Sequence, residues 1–244
     1  MLCKICGGQL KLFRFSTRDN SDLPSLECKD CKCLQFKNFD HIKENHYEES
    51  NMHSSIISID KWRDSTITDD SRRLKLYKNK IRNKKILEIG SGNCAFIEEI
   101  DKIADISGVE LEKRIYKQFK NKLKISQDLH SFKDEKFDFI FLFHVLEHVK
   151  EPIKFIKELS LLLNKSGKIV VEVPNRFDAL IYLYECEEFI KFTLWSQHLF
   201  VYSIYSLRVI AEKCNMKLKE EIFLQRYPLG NTINWLSSGK PTGF

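Results

Sequence analysis

From residue 84 onward the hydrophobic positions alternate between two periods. Short apolar runs such as Ile86-Leu87-Glu88-Ile89 and Phe139-Ile140-Phe141-Leu142 read as buried strands, and the stretches between them place apolar residues three and four apart, as an amphipathic helix does. This pattern predicts strands over 85–89, 107–110, 123–126 and 168–173, a strand and following turn over 137–149 with Phe143 and His144 at the strand's end, and helices over 94–103, 112–121 and 152–163. Lys165-Ser166-Gly167 marks a turn and Pro174-Asn175 closes the last of these strands. Strands alternating with helices at this spacing predict an α/β fold with a doubly wound, mostly parallel sheet, whose ligands bind above the carboxyl ends of the strands.

The flanking regions differ. Leu10, Leu12 and Phe13-Arg14-Phe15 show partial strand alternation before a polar turn around Asp19-Asn20-Ser21, which predicts a small β module over 1–37. Residues 38–83 are polar and read as a linker followed by helical segments that cover a cleft, the last over 70–80. Within the 84–244 domain, 176–202 reads as an insertion whose 177–192 stretch is aromatic and of helical period. A helix over 203–214 and a strand over 217–224 follow.

Composition changes this picture little. The chain has 43% hydrophobic residues and 40 basic against 34 acidic ones, a net charge of +6 that suits a soluble face. No apolar stretch is long enough to span a bilayer and Met1 is followed by no secretory pattern, so a cytoplasmic location is expected. No repeat or low-complexity tract stands out, and oligomeric state is not legible.

The chemistry begins at Glu88-Ile89-Gly90-Ser91-Gly92-Asn93-Cys94, a strand running into a glycine turn that opens a helix. Gly90 and Gly92 allow a tight bend and close approach to a ligand, and Glu88 leaves a carboxylate beside the cleft. Glu110, at the end of the second strand, suits the ribose hydroxyls of a nucleoside. Cys94 stands where a dinucleotide fingerprint has a third glycine, and no lysine follows in P-loop spacing. Two acids without phosphate-binding features fit a cationic cofactor that lacks a pyrophosphate, and S-adenosylmethionine is one.

From this loop through the 137–149 segment to Pro174-Asn175, the chain resembles the class I S-adenosylmethionine-dependent methyltransferases, over about 84–224. The resemblance implies their Rossmann-like fold and a cofactor site. In it Glu88, Gly90, Ser91 and Gly92 line the methionine and ribose part, and Glu110 holds the ribose. Leu111 packs on the adenine, Asp128 and Leu129 receive its edge, and Phe143 and His144 lie nearest the sulfonium. Cys94 departs from the family's usual glycine. The resemblance also implies that the 176–202 insertion selects the acceptor.

An oxygen or carbon acceptor must lose a proton, and histidine is the side chain best matched to that near neutral pH. His144, His148 and His198 are the candidate bases, with Glu147 as a further candidate catalytic group. Each has a structural alternative as a hydrogen bonder or cap, and Asn175 either orients an acceptor hydroxyl or caps a helix.

Cys3, Cys6, Cys28, Cys31 and Cys33 crowd the N-terminal end. Cys3-Lys4-Ile5-Cys6 and Cys28-Lys29-Asp30-Cys31 are two C-x-x-C knuckles, the arrangement by which a zinc-ribbon-like module brings four thiolates around a structural Zn2+. Cys33 is an alternative to Cys31, and disulfides or loose thiols are the alternatives to metal. A zinc module joined to this catalytic domain resembles bacterial sugar and surface-polysaccharide methyltransferases, here expected without the further C-terminal domain some of them carry. That resemblance implies a small-molecule acceptor, a nucleotide-linked sugar or polysaccharide precursor. The alternatives are an rRNA or tRNA base methyltransferase and a non-catalytic zinc-dependent interaction protein. For RNA, Lys29, Lys32, Lys37, Lys43, Arg72 and Arg73 would contact phosphates, but Asp30, Asp40, Glu44, Glu48 and Glu49 interrupt them.

Overall fold

Strand formation follows the apolar runs. The structure, a computed structural model, describes residues 1–43, 46–49 and 58–241; 44–45, 50–57 and 242–244, which take in Glu44 and part of the expected linker, lie outside the described residues. Among the described residues the strands are β1 (Leu10–Arg14), β2 (Ser25–Cys28), β3 (Leu34–Phe36), β4 (Lys85–Ile89), β5 (Asp105–Val109), β6 (Ile125–Ser126), β7 (Phe137–Phe143), β8 (Leu163–Glu172) and β9 (Phe200–Val201). The helices are α1 (His46–Glu49), α2 (Ile59–Ile81), α3 (Ala95–Asp101), α4 (Lys113–Phe119), α5 (Pro152–Leu161), α6 (Ala179–Tyr182), α7 (Glu187–Thr193), α8 (Ile204–Lys213) and α9 (Leu229–Ser238). The chain divides into two compact units, one of Met1–Ile42, Leu146–Lys157 and Val173–Phe244, the other of Lys43–Val145 and Glu158–Glu172.

The second unit holds a parallel five-stranded sheet in the order β6-β5-β4-β7-β8. The order reverses direction at β4 and β7, the position where open α/β sheets leave a crevice at the carboxyl ends. Ile81, Ile86, Phe96, Ile97, Ile100, Ile106, Phe139, Phe141 and Phe143 form its core. Large side chains buried this fully contribute about 1.5 to 3 kcal/mol each. The 70–80 segment belongs to a longer helix, α2, which starts where the Ser58 side chain accepts from Lys61 N–H and ends with Lys78 and Lys80 in the last turn, a charge order that suits the helix dipole. Its buried positions include Trp62, Asp69, Arg73 and Ile81.

The first unit is built on an antiparallel sheet in the order β1-β2-β3-β9. Leu34 pairs with Val201 and Gln35 with Phe200, so a strand from late in the chain completes the N-terminal sheet. The Arg176 guanidinium donates two hydrogen bonds to Glu27 Oε1, at 2.7 and 3.1 Å, with both side chains buried. Lys11 adds a contact to Glu27 at 2.8 Å. Leu34, Leu180, Ile181, Phe189, Ile190, Leu194, Val201 and Trp235 pack together beside this sheet. Helix α8 is fixed by a capping box in which Ser203 and Ser206 satisfy each other's backbone N–H groups.

Three expectations are corrected. Lys165-Ser166-Gly167 is no turn but part of β8, which begins at Leu163 just after α5 ends at Leu161. Residues 217–224 form no strand; Leu218, Ile222, Phe223 and Leu224 are exposed, and no described strand pairs with them. The 177–192 stretch is two short helices rather than one, interrupted at Glu185, whose φ of 47° lies in the left-handed region.

Candidate functional site

The β4 loop turns because its backbone enters the left-handed region at Gly90 (φ 71°), Gly92 (φ 51°) and Cys94 (φ 61°). A Cβ on Gly90 would stand 2.6 Å from Val145 Cγ2, and one on Gly92 would stand 3.3 Å from Trp62. Gly90 is therefore favoured for φ and for space, and Gly92 for φ, with Trp62 in tight contact beside it. The loop is pinned to the end of β5: Gly90 and Ser91 N–H donate to Val109 O at 2.8 and 3.2 Å, and Gly92 N–H donates to Glu110 Oε2 at 2.7 Å. Glu112 N–H completes the hold on the Glu110 carboxylate at 2.7 Å.

Two carboxyls dominate the electrostatics of this loop. Burial pushes Glu88 up to about 8, against the Arg73 charge that pulls the other way, and Glu88 Oε2 is buried with no hydrogen bond of ordinary length to a described residue. Burial likewise pushes Glu110 up to about 7, against the backbone N–H groups of Glu112, Gly92 and Leu111 that lower it. A buried carboxyl pair held partly protonated in this way is set to gain from a cationic ligand, and the residues present fit S-adenosylmethionine. Leu111 is 38% exposed and thus open to a ligand face, with its carbonyl accepting from Gln127. Asp128 is exposed and caps a 3₁₀ turn over Leu129–Phe132 by accepting from His130 N–H at 2.9 Å.

Phe143 ends β7 buried, and His144 follows at φ 55°. His144 Nε2 lies 3.4 Å from Glu172 Oε1 at the end of β8. Glu172 also receives Arg72 at 2.9 and 3.1 Å and Arg73 at 2.7 Å. Arg72 and Arg73, phosphate contacts on the RNA alternative, are thereby engaged with Glu172, Asp69 and Asp70.

Several contributors to this site carry no motif in the sequence. Trp62 packs on the loop, Arg63 donates to Asn93 O at 2.9 and 3.1 Å, and Asn93 donates to Thr66. A Cβ on Gly108 would come within 2.3 Å of Ile97 and 2.4 Å of Ser91, so this glycine lets helix and loop approach β5. The polar spacing of α2 holds the signal for Trp62 and Arg63, but only the fold shows where that face goes.

The other candidate catalytic residues belong to the first unit. Glu147, His148 and His198 come together there, each with a donor atom within 4.8 Å of the others'. Cys3, Cys6, Cys28 and Cys31 also gather, with all four Sγ atoms within 4.8 Å, Cys3 and Cys31 being 3.7 Å apart and Cys6 and Cys28 3.3 Å. Sulfurs about 2.3 Å from a tetrahedral zinc stand about 3.8 Å from one another, so the donor set fits. Ile5 N–H and Gly8 N–H point at Cys3 and Cys6 Sγ at 3.4 and 3.3 Å, supporting the thiolates as a knuckle does. Cys33 is buried outside this group and its thiol donates to Leu34 O. All eight cysteines are free. No described helix is long and apolar enough to cross a membrane.

Comparison with known proteins bears on the 59–221 region, which matches the family model of a methyltransferase domain. An uncharacterised protein of Methanocaldococcus jannaschii is 33% identical over 132 residues, covering 52% of this chain and 62% of its own. A ubiquinone biosynthesis O-methyltransferase of Pelagibacter ubique is 34% identical over 106 residues, covering 39% and 44%. A Coxiella burnetii protein of the same description is 28% identical over 180 residues, covering 66% and 76%. The chain thus spans 62% of the length of the first of these relatives and 44% of the second. In fold, a solved S-adenosylmethionine-dependent methyltransferase from Thermotoga maritima matches with a TM-score of 0.52 over 71% of this chain and 80% of that one, at 21% identity. With the family match extending over most of the chain, on a sheet of this order and a loop of this shape, the chain belongs to the class I S-adenosylmethionine-dependent methyltransferase family.

Proposed function

We propose that this chain transfers a methyl group from S-adenosylmethionine to an oxygen of a small-molecule acceptor. The observation that carries the reading is the pair of buried carboxyls, Glu88 and Glu110, on either side of a loop whose glycines leave room for a ligand. Such a pair favours a cation over a phosphate. Bound there, S-adenosylmethionine supplies a methyl group already activated on a sulfonium. Glu88, Gly90, Ser91 and Gly92 line its methionine and ribose part, Glu110 accepts from the ribose hydroxyls, and Leu111, Asp128 and Leu129 face the adenine. Phe143 excludes water beside the reacting centre.

His144 takes the acceptor proton. Glu172, fixed by Arg72 and Arg73, stabilises the imidazolium that forms. Zn2+ held by Cys3, Cys6, Cys28 and Cys31 has no open position and acts structurally. An oxygen acceptor is supported by the O-methyltransferases among the relatives, and a nucleotide-linked sugar is the acceptor class to test first, on the pairing of a zinc module with this catalytic domain. Incubation of zinc-replete protein with methyl-labelled cofactor and a panel of sugar nucleotides and phenols tests it. Label transferred to a hydroxyl supports the reading, and absence of cofactor binding to folded protein overturns it.

A further inference from the structure

We infer that Glu147, His148 and His198 form a second metal site, one for a divalent transition ion with an open coordination position. It involves none of the cysteines and holds whether or not the methyl-transfer reading does. One donor atom from each residue lies within 4.8 Å of the other two. Nitrogen and oxygen donors about 2.0 to 2.2 Å from a zinc ion stand about 3.4 Å apart in a tetrahedron, so small side-chain rotations close the set onto one ion.

The hydrogen bonds around the imidazoles are those of metal ligands. His148 Nδ1 meets Gln197 O at 2.8 Å and His198 Nδ1 meets Thr193 O at 3.1 Å. A carbonyl oxygen only accepts, so both Nδ1 atoms carry the proton and in the neutral rings both Nε2 atoms present lone pairs. Trp195 packs against both rings, at 6.3 and 5.4 Å between centroids, and the imidazoles stand 5.1 Å apart. Glu147 is wholly buried, and a cation shared with two imidazoles offsets the cost of burying its charge.

Both halves of the site are held in place by backbone anchors. His198 precedes β9, which pairs with β3, and Tyr202 O–H donates to Leu146 O at 3.0 Å, tying the strand to the 3₁₀ turn of Leu146–His148. Three protein ligands of the two-imidazole, one-carboxylate type leave a coordination position for an outside oxygen donor, water or a hydroxyl of a bound small molecule. Imidazoles held by a metal are not free bases, which leaves His144 as the base among the three histidines.

The test is the zinc content of the purified full chain after dialysis at micromolar zinc, measured by mass spectrometry of the metal. Wild type is expected to hold two zinc ions per chain, and Glu147→Gln, His148→Ala and His198→Ala one each. One ion per chain in wild type, or two retained in all three variants, overturns the site. Because a variant can fail to fold, cobalt(II) is also added to wild-type protein loaded with a single zinc. Ligand-field bands without thiolate charge-transfer absorption are expected, and their absence equally overturns the site.

Discussion

His144 Nε2 stands 3.4 Å from Glu172 Oε1, and the same carboxylate is gripped by Arg72 and Arg73. Desolvation works against its ionisation, but the hydrogen bonds from His144, Arg72 and Arg73 hold Glu172 well below the usual carboxylate range. Its folded-state pKa is depressed, so the stability it contributes is present above the unfolded value near 4.5 and is lost as pH falls below it. Glu172→Gln leaves two largely buried guanidiniums short of an anion and is expected to cost about 2 to 4 kcal/mol at pH 7. Urea denaturation should show this gap at pH 7 and a smaller one at pH 3.5.

His144→Ala is expected to lower methyl-transfer turnover by about 100-fold, the scale of a lost general base, while cofactor affinity stays near the wild-type value. Single-turnover kinetics and calorimetry on the same preparation separate the two effects. Equal turnover in the variant removes His144 as the base.

Glu88 and Glu110, raised to about 8 and about 7 by burial, make cofactor affinity pH-dependent. A cationic ligand favours their ionised forms, so affinity should rise from pH 6 to pH 8, by up to about tenfold per pH unit for each proton released. In the free protein the sign is opposite. The unfolded carboxyls ionise near 4.5 and the folded ones later, so stability falls as pH rises from about 4.5 toward 8. Calorimetry across this range with wild type and Glu88→Gln checks both, the variant giving the shallower dependence.

If the four thiolates hold zinc as proposed, its removal with a chelator is expected to unfold the antiparallel sheet of the first unit. Cys31 O accepts from Ser203 Oγ, and β3 pairs with β9, so the loss extends to the 198–203 segment. Cys31→Ser should abolish binding of that zinc, and Cys33→Ala should retain it. Metal analysis with far-ultraviolet circular dichroism reads both.

Much of the second unit was legible because its strands are near-continuous apolar runs and its turn favours glycine at Gly90 and Gly92. The two C-x-x-C knuckles were equally plain, since four thiolates in that spacing have few other uses. What local pattern cannot carry is pairing between distant segments. The Gln35–Phe200 register, the Arg176–Glu27 ion pair and the clasp of α2 on Glu172 all join residues remote in sequence. The same limit explains the missing strand over 217–224, where the apolar run Ile222-Phe223-Leu224 is present but no described strand lies alongside. Trp62 stood out only as an aromatic in a polar helix, and Gly108 not at all, because such a residue and a lone strand glycine gain a role only from what they touch.

The most direct measurement is calorimetric titration of zinc-replete protein with S-adenosylhomocysteine, wild type beside Glu110→Ala. Micromolar binding in wild type is expected, weakened in the variant by about 1 to 3 kcal/mol through loss of a charge-assisted contact and of the Gly92 anchor. Absence of binding to folded wild-type protein would contradict the account, and unchanged affinity in the variant would contradict the role of Glu110.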